Sequence, residues 1–389
     1  MVAAGRELHA TRSFAAGAFR FKVVATDPDD AAVIDSLFRD LPSPAASDEP
    51  PAEFAVTRTR ARGETTWSLT GPRVDDQFAG SQMTVLTLLM GAVNISGLDA
   101  EPGRLHLHAA AAVQDGRVVV VAAERDTGKT TTVAHLVERG WAFVTDETVS
   151  LAPERDEVSG FPKPLSIKPG GRGLVGHLTP WMIPGVEDGR EDFRFVPVSA
   201  SGAAVAAGGP VGLVVLLRRP EFRDPGEGAV SRELHPADAA VALMQETLDA
   251  ERFGPTALRL ARLATSCRCF ELNVGTPAAT ADHIEALFRL DPPTPLDVEL
   301  RTPSPVIPAH VVSVVVGDRT VVHDQRSGRI FALDAAATRI WEHLGGWRPD
   351  PSIDLAGLGV APFVAQLRAL GVLSQPATNG DRARANETG

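Results

Sequence analysis

The chain has no tyrosine, two cysteines and an aromatic share of only 5% in 389 residues. The cysteines, Cys267 and Cys269, are one residue apart. A disulfide scaffold is therefore excluded and a reducing compartment fits. Two thiols alone cannot complete a zinc site. Positive charge is also short: 38 Lys and Arg against 49 Asp and Glu give a net charge of −11. Non-specific nucleic-acid binding feeds on clustered positive charge, so no nucleic-acid partner is expected. No stretch reaches the ~18 uninterrupted apolar residues of a membrane helix. The start, Met1 to Arg12, has neither an apolar h-region nor a small-residue cleavage site, so it does not read as a secretory signal. The expectation is a soluble cytoplasmic protein without a membrane partner.

What is present is ordinary for a globular chain: 44% hydrophobic and 22% charged residues. At about 150 residues per domain, two or three domains are expected. The fold class is α/β. Residues 1–100 read as a small N-terminal α+β cap. It has an alternating strand "FRFKVVAT", a Pro/Ser/acid loop Leu41–Glu53, a hairpin turning near Gly63-Glu64 and a buried helix over Gln82–Leu98. Residues 101–290 alternate strands and helices, as an α/β catalytic domain does. Buried strands are expected at Val118–Ala122 and Val211–Arg219, and helices at Gly128–Arg139, His235–Leu248 and Ala257–Ala264. Residues 291–308 hold six prolines and read as a semi-rigid linker. Residues 309–374 form a last module of three strands and two helices, and 375–389 a polar tail expected to be disordered.

The chemistry is carried by "AERDTGKT", which follows the apolar strand Val118–Ala122 and opens a helix. Strand, loop and helix N-terminus are the setting of a phosphate-binding loop. Backbone N–H groups of Ala123, Glu124, Arg125, Asp126, Thr127, Gly128, Lys129, Thr130 and Thr131 would surround phosphates, Lys129 would reach the β/γ-phosphates, and the Thr130 hydroxyl would ligate Mg²⁺. Two features depart from G-x-x-x-x-G-K-[ST]: Ala123 replaces the first glycine, and Glu124 and Asp126 put carboxylates into a loop built for anions. Further along, a strand ends in Asp146-Glu147, the place for a second Mg²⁺ anchor or a general base. His108 opens the strand pair that leads to the loop.

Over about 45 residues this segment resembles the catalytic core of HPr kinase/phosphorylase and the HPr-kinase-like proteins. His108, Ala123, Lys129-Thr130, Arg139-Gly140 and Asp146-Glu147 fall into that family's register without a gap. "FPKPLSIKPGG" (Phe161–Gly171) extends the resemblance more weakly. The resemblance implies a P-loop kinase core using ATP and Mg²⁺. Asp146 would be the general base with His108 near it, Glu147 would assist the metal together with Thr130, and Lys168 would contact phosphate. It also leaves a homo-oligomer open. Where the family has glycines this chain has Ala123 and Asp126, and its second Asp is Glu147.

The last module, "GRIFALDAAATRIWEHLGG…FVAQLRALGVL", resembles PqqD-type winged-helix domains, which recognise leader peptides of ribosomally made, modified peptides. That resemblance implies capture of a precursor peptide by β-augmentation, with the hairpin 311–333 as the edge and helix 335–344 as the groove wall. Phe331, Leu333, Ile340 and Trp341 read as core. The functional expectation is an ATP-dependent Ser/Thr kinase acting on a captured precursor peptide. The alternatives are a degenerate, non-catalytic peptide-binding chaperone and an HPr-type protein serine kinase/phosphorylase.

Overall fold

A computed structural model describes residues 7–183, 194–219, 228–248, 256–357 and 359–374. The tail expected to be disordered, 375–389, lies outside the described residues. The chain divides into two compact units. The first holds 1–234, 246–253 and 266–293; the second holds 235–245, 254–265 and 294–389.

In the first unit, residues up to Ala100 form a six-stranded sheet with two helices, Pro28–Leu37 and Gln82–Ala100. Its core is aromatic: Phe14, Phe21, Phe38 and Phe54 are buried against one another. The strands Ala52–Ala61 and Glu64–Gly71 are joined where Arg62 and Gly63 both take positive φ, 53° and 86°. Two successive left-handed residues fit a turn whose twist matches the strands. By length and mean hydropathy (1.4) helix Gln82–Ala100 would pass for a membrane span. Half of that stretch is buried here, and Met83, Leu86, Leu89 and Val93 belong to the core of this layer.

The rest of the unit is built on a nine-stranded mixed sheet. Its centre is the strand Arg117–Ala122, antiparallel to Leu105–Gln114 and parallel to Gly208–Arg218. Strand Arg268–Asn273 continues the parallel part. Val118 to Ala122 are fully buried, which is why the sequence shows an unbroken apolar run there. The turn into this strand uses Asp115 (φ 51°) and Gly116 (φ 72°). Helix Lys129–Glu138 covers one face through Val133, Leu136 and Val137, with Trp141 beside it, and packs on helix Pro277–Phe288. Cys267 and Cys269 are buried thiols not joined by a disulfide.

The second unit carries a four-stranded antiparallel sheet in the order Val298–Leu300, Val311–Val316, Arg319–Asp324, Arg329–Leu333. Helices Ala335–Gly345 and Ala361–Ala369 pack on it. Trp341 is 0% exposed, and its Nε1–H donates to Ser313 Oγ at 3.1 Å. Leu333 is buried too, and Phe331 and Ile340 pack against the same core.

Two features differ from the sequence reading. The first strand of this sheet lies inside the proline-rich segment taken as a spacer. The prolines flank Val298–Leu300 without interrupting it, and a three-residue strand escapes a propensity reading. It pairs with Val314–Val316, so much of the Val311–Val316 edge expected to receive a peptide is already occupied. Second, helix Pro236–Gln245 belongs to this unit, packing on strands Arg319–Asp324 and Arg329–Leu333. Arg319 and Asp238 form an ion pair at 2.6 Å across that contact.

Candidate active site

The loop Ala123–Gly128 leaves the carboxyl end of the central strand, where open α/β sheets place their ligands. Gly128 precedes the helix at φ 114°, a conformation natural only to glycine. Asp126 takes φ 67°, so the chain keeps a glycine-like backbone there without the glycine. Asp tolerates this region better than most residues. Its charge is met by Lys168, whose ammonium donates to the Asp126 carboxylate and holds its pKa below the usual value. The neighbouring Arg125 makes a smaller contribution in the same direction. Ala123 is not among the positive-φ residues, so replacing glycine there makes no left-handed demand.

Lys129 opens the helix and is buried. Its ammonium donates to the carbonyls of Ala123 at 2.5 Å and Glu124 at 3.2 Å, folding back over the loop. Burial pushes its pKa down, against the opposing pull of Glu246 and Asp146.

Asp146 lies at the end of strand Ala142–Thr145, 5% exposed. The Thr130 hydroxyl donates to its Oδ2 at 3.3 Å and the Ser166 N–H to the same oxygen at 3.2 Å. The other oxygen, Oδ1, lies 3.0 Å from Lys163 Nζ. Lys163 also pairs with Glu147 at 2.7 Å. Burial alone would lower the Lys163 pKa, but the Asp146 and Glu147 carboxylates more than offset it and raise it. The same ammonium holds Glu147 below the usual carboxylate value. Thr130 thus meets Asp146, while Glu147, expected beside Thr130 at a metal, turns to Lys163.

His108 sits on strand Leu105–Gln114 opposite Thr148. Burial, and next the Lys129 ammonium, push its pKa down, so the ring is neutral near pH 7. Its backbone N–H donates to the Glu246 carbonyl at 2.7 Å. The Glu246 carboxyl has its pKa raised, chiefly by burial, and faces the Lys129 charge. Sequence reasoning missed Lys163 and Glu246. Lys163 stood within "FPKPLSIKPGG", where the resemblance pointed to Lys168 as the phosphate contact instead. Glu246 fell inside an expected helix, His235–Leu248, which instead ends at Gln245 and lets Thr247–Leu248 pair beside His106 and Leu107.

The oxygen donors Thr130 and Asp146 suit a hard divalent cation such as Mg²⁺, and the charge of Asp126 is already balanced by Lys168, so this donor set fits a nucleotide with its metal. No protein-family model and no curated protein matches the chain. Among solved structures, it is similar to the Hpr(Ser) kinase/phosphatase from Coxiella burnetii, at 17% identity and a TM-score of 0.27, over 47% of this chain and 88% of that one.

Proposed function

We propose that this chain is an ATP-dependent kinase that phosphorylates a Ser or Thr hydroxyl of a precursor peptide held by its C-terminal unit. The observation that carries the reading is the convergence on Asp146: a buried carboxylate 3.3 Å from the Thr130 hydroxyl and 3.0 Å from Lys163, beside a strand–loop–helix that starts with Lys129. Phosphoryl transfer asks a protein mainly for positioning and charge neutralisation.

In this reading Lys129 exchanges the carbonyls of Ala123 and Glu124 for phosphate oxygens. Thr130 and Asp146 would hold Mg²⁺, which neutralises phosphate charge when bound. Asp146 accepts the proton of the attacking hydroxyl as the new oxygen–phosphorus bond forms. The bond from the γ-phosphorus to the bridging oxygen breaks, and ADP leaves. Lys163 holds the carboxylate, and neutral His108 stands near Lys129 and Glu147 without adding charge. For the peptide, strand Arg329–Leu333 is one of the two sheet edges with no strand partner on the outer side among the described residues, and the longer of them. An extended leader adding there would bring the hydroxyl to the kinase at high effective concentration.

A second reading, a non-catalytic peptide-binding chaperone, is favoured by the Asp126 carboxylate standing in the loop. Isothermal titration with ATP·Mg²⁺ separates the two: the kinase reading predicts binding that Lys129→Ala abolishes, and the chaperone reading predicts none.

A further inference from the structure

The far end of the loop helix carries a constellation that the kinase reading does not use. His135 and Glu138 stand one turn apart on that helix, and His177 comes from the kinked 3-10 segment Pro169–Trp181. One donor atom from each lies within 4.8 Å of the other two. Glu138 Oε2 is 3.1 Å from His135 Nδ1 and 3.6 Å from His177 Nδ1. Ligands ~2.0–2.1 Å from a tetrahedral cation are about 3.3 Å apart, so these separations are close to coordination edges.

Chemistry around the trio fits the same reading. His135 Nε2 lies 2.7 Å from the Leu174 carbonyl, which can only accept, so Nε2 carries the hydrogen. That leaves Nδ1 to face the carboxylate, and an outer carbonyl orienting a ring in this way is the usual support of a metal-bound histidine. Two imidazoles thus converge on one carboxylate oxygen, an arrangement that a shared cation would bridge. Glu138 is 45% exposed, so the site opens to solvent on one side.

We propose that His135, Glu138 and His177 form a transition-metal site of the zinc class, with three protein ligands and an open fourth position. Two nitrogens and a carboxylate select zinc-like ions over Mg²⁺ or Ca²⁺. The bound ion pins segment Pro169–Trp181 to the loop helix. That segment begins directly after Lys168, so the ion also steadies the cation that neutralises Asp126.

The test uses the full chain stripped with a chelator and titrated with Zn²⁺ against a chromophoric competitor. One equivalent of zinc per chain is expected. His177→Gln and Glu138→Gln should each weaken binding by more than the about 10- to 100-fold typical of losing an outer-shell partner. A Cys267→Ser/Cys269→Ser double variant should bind as the wild type does. Co²⁺ in the wild-type protein should give d–d bands without a thiolate charge-transfer band. Should the ligand variants fail to fold, diethyl pyrocarbonate mapping of the wild type decides: zinc should protect His135 and His177. Absence of binding at micromolar zinc, binding undiminished in the ligand variants, a thiolate band, or unprotected His135 and His177 would each overturn the site.

Discussion

At the level of single residues, the proposed phosphoryl transfer turns on Asp146 and the cations around it. Asp146→Asn removes the proton acceptor and disturbs the Mg²⁺ position shared with Thr130 while leaving the loop, so phosphoryl transfer should fall by about 10²–10⁴-fold with binding of metal-free ATP retained. Single-turnover transfer and titration of ATP, measured side by side, check that split. Lys163→Met leaves a buried carboxylate without its cation; breaking such a pair costs about 3–5 kcal/mol, which urea unfolding would read as a lower midpoint. Glu147 has its pKa lowered from 4.5, chiefly by Lys163. Its contribution to stability is therefore complete above the ordinary carboxylate range and is lost as pH falls through the depressed folded value, a loss that Lys163→Met should flatten. His108 has its pKa lowered from 6.5 by burial and Lys129, so any loss of transfer caused by its protonation should fall at more acid pH than for an ordinary histidine. His108→Gln should erase that inflection in the pH–rate profile. The loop and Asp146 were legible in the sequence because chain-local spacing encodes them. Lys163 was not, because only folding brings it to Asp146, and a lysine between two prolines carries no local sign of full burial.

At the scale of elements, the strands that read most clearly were the ones buried on both faces. Val118–Ala122 shows an unbroken apolar run because each side chain is enclosed, and the turn before it is announced by Asp115-Gly116. Strand Gly208–Arg218 begins earlier than its apolar run at Val211, because its first residues pair through backbone rather than through packing side chains. Gly208 takes φ 133°, and a Cβ there would lie 2.0 Å from the Val158 carbonyl oxygen. Gly208→Ala should therefore lower stability by more than about 1 kcal/mol, seen as a drop in Tm, because both the backbone conformation and the pairing with Glu157–Gly160 oppose it. In the C-terminal sheet, Val298–Leu300 was hidden by its proline-rich flanks. It is followed by Arg301, whose guanidinium makes two 2.6 Å bonds to Glu342 on helix Ala335–Gly345, so the supposed spacer is tied into the unit.

At the scale of the whole molecule, the division of the chain is less linear than its sequence. Composition placed a boundary in the proline cluster, yet 235–245 and 254–265 are grouped with 294–389. Helix periodicity cannot say which sheet a helix will cover, since an apolar face is the same whichever partner it meets. A chain ending after Pro305 would deprive helix Pro236–Gln245, in which Ala240 and Leu243 are buried, of two strands on which it packs. That truncation should give a protein with a lowered Tm and protease cleavage within 236–245, instead of an intact kinase domain. The most direct test of the proposed peptide phosphorylation incubates the full chain with ATP·Mg²⁺ and a Ser/Thr-containing peptide that it binds, and weighs the peptide. The account predicts one added phosphate on a Ser or Thr, absent with Asp146→Asn. Peptide that is bound by the chain but gains no phosphate at saturating ATP would contradict it.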